Sequence, residues 1–358
     1  VSATKPLTIV FVSHTDAFGT FRVGSHHLAR ELSRLGHRVL HISTPVSLLH
    51  RVLRRGEKTR EVASRQSPIV DADGVVHVIP RTVFPAGISR LSFARILEQH
   101  LGVSTADIVL LDQPLLWSSK LREAARTLVY RPTDLYESGV KARLQREILG
   151  HADAVVATST EVLARLELSA TLPSIALPNG VELGRFGDDG DDGHRPQRAV
   201  YVGALDDRFD WAAVQSMAAA APDWGFDVYG PGSGPSQGLP ANVSLNGTVA
   251  YEELPAILRN ARIGLLPLSD VPVNRGRSPM KLYEYLASGL SVVTRETPVL
   301  SSNPESGVFA YRDPSGAPSA FDQARHAAVP NVAGRQAAEG ADWTAKAREL
   351  IQFLGVQT

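Results

Sequence analysis

Residues 277–289, Arg-Ser-Pro-Met-Lys-Leu-Tyr-Glu-Tyr-Leu-Ala-Ser-Gly, place a cation and a carboxylate at a helix start. Ser278 is a good N-cap, Pro279 suits the first helical position, and Gly289 can close the helix in a left-handed conformation. Lys281 in the first turn opposes the helix dipole at a cost of about 0.3–1 kcal/mol. A bound anion reverses that sign, because unpaired N–H groups and the dipole at a helix start attract phosphate. Glu284 falls three residues on, on the same side of the helix, and can accept hydrogen bonds from the vicinal hydroxyls of a ribose. This is the chemistry of a nucleotide-diphosphate-sugar site, although a capped surface helix with an i,i+3 ion pair uses the same residues. A second carboxylate, Asp134, ends the run Leu128-Val129-Tyr130-Arg131-Pro132-Thr133-Asp134. It can take a proton from an acceptor hydroxyl, or it can cap a helix starting near Leu135. His14 and Asp16, after the first apolar run, and Glu137 are further candidates on the acceptor side.

Such groups must be held by regular elements. Residues 7–12, LTIVFV, predict a strand buried on both faces. Residues 26–35 predict an amphipathic helix with Leu28, Leu32 and Leu35 on one stripe, ended by Gly36, and residues 38–42 a second strand. That is a βαβ opening. Further strands are expected at 108–111, 128–130, 154–157 and 175–177, and a second βα series at 199–203, 226–230, 263–267 and 291–293. An acidic, glycine-rich run at 187–193 separates the two series. The expected architecture is α/β, two doubly wound Rossmann-like domains facing each other across a cleft, with ligands outside the carboxyl ends of the strands. Boundaries are expected at 1–183, at 184–198 for the linker, at 199–340 and at 341–358 for a closing helix.

Composition excludes several alternatives. The 358 residues carry 37 basic and 37 acidic side chains, a net charge of zero, which argues against nucleic-acid partners. With no cysteine there is no disulfide, thiol nucleophile or Cys-ligated metal. The histidines lack ligand spacing, and Asp189-Gly190-Asp191 reads as solvated linker before it reads as a cation site, so no metal is expected. No Gly-x-Ser-x-Gly is present, nor a Gly-x-Gly-x-x-Gly after the first strand. Gly230-Pro231-Gly232-Ser233-Gly234 could present amides to a phosphate or form a simple turn. No apolar run of bilayer length and no secretory core appear, so a cytoplasmic location is expected. Residues 48–65 put Leu48, Leu49, Val52 and Leu53 beside Arg51, Arg54, Arg55, Lys58, Arg60 and Arg65. This stretch suits either an anionic membrane surface or a solvated helix over the first sheet.

The segments Leu177-Pro178-Asn179-Gly180-Val181, Val200-Tyr201-Val202-Gly203-Ala204-Leu205 and Ser278 to Leu286 resemble group 1, family 4-like glycosyltransferases of the GT-B fold. Residues 129–134 and 271–281 are further similar to the membrane-associated glucuronosyltransferases of xanthan biosynthesis. The resemblance implies an acceptor-binding first domain and a nucleotide-sugar-binding second one. It implies a catalytic base at Asp134 and donor contacts at Gly203, Leu205, Arg208, Ser278, Met280, Lys281 and Glu284. It further implies a nucleotide-sugar donor, UDP-linked, with no other cofactor, and a glycan, lipid-linked glycan or small-molecule acceptor. The chain departs from the pattern of retaining members: Gly276 stands where the first of two glutamates is usual, and the Arg and Lys after the Val-Gly strand are missing unless Arg208 substitutes. Inversion is therefore favoured over retention. A sugar-nucleotide epimerase of the same fold and an inert nucleotide-sugar-binding protein are the rival readings.

Overall fold

The computed structural model describes residues 5–19, 22–49, 58–89, 91–187, 195–302 and 305–355. The chain forms two compact units, residues 1–178 with 346–358 and residues 179–345.

In the first unit β1 (Thr8–Ser13) is buried at every residue, as an apolar β-branched run covered on both faces must be. The helix Gly24–Arg34 leads to β2 (Arg38–Ser43), which pairs in parallel with β1. Leu28 and Leu32 are fully buried, each worth about 1.5–3 kcal/mol of burial. Short pieces that carry no clear period in the sequence follow: β3 (Val46–Ser47), β4 (Ile69–Val70), β5 (Val76–Val78) and β6 (Arg81–Thr82). Then come β7 (Ala106–Leu111), β8 (Ala125–Tyr130), β9 (Ala154–Ala157) and β10 (Ser174–Ala176). The main sheet has the order β10-β9-β8-β7-β1-β2-β5-β4, and β3 pairs separately with β6. Only β4 runs antiparallel. Strand order reverses between β1 and β7, so the carboxyl ends of β1, β7 and β8 frame the crevice where such sheets bind ligands.

The second unit contains β11 (Arg198–Val202), β12 (Gly225–Tyr229), β13 (Val243–Gly247), β14 (Ile263–Leu266), β15 (Ser291–Arg295) and β16 (Val308–Tyr311). All are parallel, in the order β13-β12-β11-β14-β15-β16. This is the 3-2-1-4-5-6 order of a doubly wound sheet, with its switch point between β11 and β14. The helix Met280–Ala287 is locked onto it by Tyr285, which is 1% exposed and whose hydroxyl accepts from the Val202 amide at 3.1 Å. Gly264 in β14 makes room for that ring, since a Cβ there would lie 2.3 Å from Tyr285 Cδ2.

The start of that helix differs from expectation. Pro279, not Ser278, is the N-cap, and no side chain caps the first turn. Ser278 is occupied elsewhere: its hydroxyl accepts from the Asn179 amide at 3.1 Å, and its carbonyl accepts from Asn179 Nδ2 at 2.8 Å. At the other end Gly289 takes φ 75° and donates to the Leu286 carbonyl at 2.8 Å, as a left-handed C-terminal glycine should. The final helix spans Trp343–Phe353. Residues 188–194 of the acidic linker and residues 50–57 of the basic stretch lie outside the described residues.

Candidate functional site

In the second unit the chain leaves β11 at Gly203, whose amide donates to the Tyr229 carbonyl at 2.9 Å. The Leu205 amide donates to the Pro231 carbonyl at 2.9 Å, and the Gly230 amide to the Gly247 carbonyl at 2.7 Å. The two loops therefore touch backbone to backbone. Gly230, at φ 141°, allows this, because a Cβ there would fall 1.7 Å from the Gly203 carbonyl oxygen. The glycine-rich turn is thus used for loop packing.

Gly203 also meets the helix Met280–Ala287. A Cβ at Gly203 would lie 2.4 Å from Tyr201 Oη and 3.1 Å from Lys281 Cε, so the lysine stem lies across the glycine. Burial lowers the Lys281 pKa; Glu284 opposes that shift, and the positive charges of Arg277 and Arg208 add to it. The Lys281 side chain makes no hydrogen bond or ion pair among the described residues. Glu284, 5% exposed, is pushed up by burial, against the pull of Lys281 and with the help of Glu182. The surface ion pair that the sequence allowed is therefore not made. Glu182 accepts from Tyr251 Oη at 3.2 Å and from Arg185 Nε at 3.3 Å. Arg208 is bound to Asp206, Nε to Oδ1 at 2.9 Å, and its carbonyl accepts from Asn274 Nδ2 at 3.0 Å. Met280 opens the helix, and Leu205 bridges to Gly232. Arg277, next to Ser278, adds its positive charge to this cluster, and nothing in the sequence spacing marks it out.

In the first unit three strand ends meet. His14 follows β1, Asp112 and Gln113 follow β7, and Arg131, Thr133 and Asp134 follow β8. Gln113 Nε2 lies 3.0 Å from His14 Nδ1, and Thr133 Oγ1 lies 3.4 Å from His14 Nε2 and 3.3 Å from Asp134 Oδ2. Below them Arg131 pairs with Asp112 at 2.9 Å, and Ser13 Oγ donates to the same carboxylate at 3.1 Å. Burial lowers the pKa of His14 although the charges of Asp112 and Asp134 pull it up. Asp134 does not cap a helix: the next helix, Gly139–Leu149, begins five residues later with Ser138 as its N-cap. Asp16 is 4% exposed, 3.2 Å from Arg60 Nε, and accepts from the Phe18 amide at 3.0 Å. Glu137 is exposed and pairs with Arg165 at 2.9 Å. The fold thus gathers His14 with Asp134 and places Asp16 and Glu137 in other contacts. Among the described residues no group of three or more His, Asp or Glu side chains is arranged to hold a metal ion.

Comparison with known proteins fits both halves. Residues 11–164 match the family described as glucuronosyltransferase GumK, N-terminal domain, and residues 208–351 match the glycosyl transferase-like family. Across 98% of the chain the fold is that of the sucrose-phosphate synthase of Thermosynechococcus elongatus, at 17% identity, 98% coverage of that chain and a TM-score of 0.73. It is also that of Anabaena HepE crystallised with UDP-glucose, at 14% identity, 100% coverage and a TM-score of 0.69. The fold is GT-B, two Rossmann-like α/β units. The first half of the chain is thus similar to the GumK N-terminal family and the second half to the glycosyl transferase-like family. It is also 27% identical over 177 residues to TuaH of Bacillus subtilis (strain 168), a glycosyltransferase named for teichuronic acid biosynthesis. That match takes in 44% of this chain and 43% of TuaH, so the chain spans less than half the length of the curated relative it matches.

Proposed function

We propose that the chain moves a sugar from a nucleotide-diphosphate sugar, UDP-linked, to a hydroxyl of a glycan, a lipid-linked glycan or a small-molecule acceptor, with inversion and without a metal. The observation that carries this reading is Lys281. It stands at a helix start, lies across Gly203 at the switch point of its sheet, and has no ion-pair partner among the described residues. The charges of Arg208 and Arg277 bear on it. A diphosphate supplies the counter-charge this arrangement lacks. Glu284, one turn on, offers its carboxylate to ribose hydroxyls. HepE, which shares the fold, was crystallised with UDP and with UDP-glucose.

Asp134 takes the proton of the acceptor hydroxyl as its oxygen attacks the anomeric carbon and the bond from that carbon to the diphosphate breaks. Lys281, Arg277 and Arg208 meet the charge that develops on the leaving UDP. Exposed Leu48 and Leu49, 44% and 42% accessible, favour peripheral attachment to an anionic membrane surface.

A thermal-shift screen of UDP, UDP-glucose and UDP-glucuronate tests the donor class, since a ligand at about 100 times its dissociation constant adds about 2.7 kcal/mol. UDP release that rises with a hydroxyl acceptor supports transfer. Binding without release points to an inert binder, and an isomerised donor without acceptor points to an epimerase.

A further inference from the structure

A directed hydrogen-bond chain ends on Asp134. Gln113, at the end of β7, caps the short turn Pro114–Leu116, its Oε1 accepting from the Leu115 amide at 3.3 Å. That contact fixes the orientation of the side-chain amide, because turning it over would set an NH2 against the Leu115 N–H. Nε2 is thus the atom 3.0 Å from His14 Nδ1, and an amide nitrogen only donates. Nδ1 must accept, so the neutral ring carries its proton on Nε2. Nε2 in turn lies 3.4 Å from Thr133 Oγ1. A hydroxyl that accepts from His14 keeps its own proton for Asp134 Oδ2, 3.3 Å away. Every donor points the same way, from Gln113 to His14 to Thr133 to Asp134.

We propose that His14 is a positioning residue, orienting Asp134 through Thr133, and is not itself the base. The inference rests on the reading of Asp134 as the proton acceptor. A base needs an unused lone pair, and on His14 one nitrogen accepts from Gln113 while the other bears the proton. A doubly protonated ring would place Nδ1–H against the Gln113 amide. Burial works in the same direction, lowering the His14 pKa with the help of Lys141 and against the charges of Asp112 and Asp134 and the Asp112 backbone. Tyr136 and Tyr130 complete the groups near Asp134, and Lys141 Nζ stands 4.8 Å over the Tyr136 ring. A neutral phenol is a weaker acceptor than a carboxylate, so the Thr133 proton goes to Asp134. The Thr133 backbone is held independently, its carbonyl accepting from Thr158 Oγ1 at 3.2 Å. With Oδ2 engaged, the other Asp134 oxygen, which makes no hydrogen bond among the described residues, is left to take the acceptor's proton.

Two measurements test this on the full chain. Imidazole 15N–1H correlation spectra of 15N-histidine-labelled protein, with His14 identified by the signals lost in His14→Gln, should show the proton on Nε2 alone from pH 8 to 6. A proton on Nδ1, or an imidazolium at pH 7, overturns the proposal without any need for turnover. UDP release from UDP-glucose or UDP-glucuronate with water as acceptor tests the outward link. Thr133→Val should lower kcat about tenfold with the donor KM unchanged. It should also move the acid limb of the profile to higher pH, because a carboxylate deprived of a donor holds its proton more tightly. Thr133→Ser should restore both. His14→Gln, which keeps a donor near Nε2 and does not titrate, should retain turnover that His14→Leu loses. His14→Gln as inactive as His14→Leu, beside a normal Thr133→Val, makes His14 the base and overturns the proposal. Failure of the underlying reading looks different: Asp134→Asn keeps its turnover while the His14 tautomer stays as assigned.

Discussion

Asp112 and Arg131 meet at 2.9 Å with side chains 1% and 2% exposed, directly under the strand ends that carry His14 and Asp134. Their charges are removed from water together, and burial still pushes the Asp112 pKa up against the pull of Arg131 and His14. The pair sets the floor of the first unit's site. It also makes that floor intolerant of losing one partner.

Arg131→Met should therefore cost about 3–5 kcal/mol, the scale for leaving one buried charge unpaired. The double variant Asp112→Leu/Arg131→Met should recover most of that loss. Urea midpoints of the three proteins check it; a single variant within 1 kcal/mol of the parent contradicts it.

Stability should fall as the solution is acidified from neutrality. His26 is held down to about 3 from its ordinary 6.5, chiefly by burial, and His41 is lowered well below 6.5 for the same first reason. Their ring centroids are 4.8 Å apart, so each also resists protonation of the other. Between pH 6.5 and about 3 the unfolded chain binds more protons than the folded one. Stability is complete above that window and is lost as pH falls through it, by about 1.4 kcal/mol per unit for each histidine. Urea titrations at pH 7, 6 and 5 read the slope, and His41→Gln should make it shallower.

Lys281→Met should separate stability from binding. Removing a half-buried cation that has no ion-pair partner among the described residues should leave the apo protein as stable as the parent or slightly more so, while the thermal shift given by UDP disappears. Gly203→Ala should weaken UDP binding by the same route, because the new methyl needs the space that Tyr201 Oη and the Lys281 stem hold. A full UDP shift in Lys281→Met removes the phosphate role from this helix.

Asp134→Asn should reduce UDP release by about 10²–10⁴, the scale for losing a general base, with UDP binding little changed. Near-parental turnover would send the search for a base back along β8 and β1.

Vesicle flotation checks membrane attachment. Binding should require anionic lipid, weaken with salt and drop when Arg54 and Arg55 become Glu, at about 1 kcal/mol per cation near the surface. Two of the cations counted in that stretch have other contacts: Arg60 reaches Asp16 at 3.2 Å and Arg65 reaches Glu61 at 2.9 Å. Equal flotation with neutral vesicles would remove the proposal.

Much of the fold was legible because buried parallel strands write themselves as apolar β-branched runs. Residues 7–12, 154–157 and 263–267 announce β1, β9 and β14 this way. Two-residue strands such as β3 and β4 leave no such trace, and β13, which reads VSLNG, hides its pairing behind polar residues. Local rules chose Ser278 as a cap, but Asn179 claims it from 99 positions away, and no local pattern records that. Lys281 and Glu284 were legible because both sit on one short helix. Gln113, Thr133 and Arg131 were not, since their value lies in three strand ends that only the folded sheet brings side by side.

Asn179, at the point where the chain enters the second unit, ties that entrance to Ser278. Two residues later the Val181 amide donates to the Ala341 carbonyl at 2.9 Å, and the Trp343 amide returns to the Val181 carbonyl at 3.2 Å. Entrance and exit are thus stitched together, and Gly180 permits it, since a Cβ there would sit 2.4 Å from the Ala341 oxygen. Residues 179–345 are in effect a cassette whose two ends are already joined. A cassette of this kind can be exchanged as a whole for the matching piece of a protein of the same fold, by two cuts made at one place in the fold.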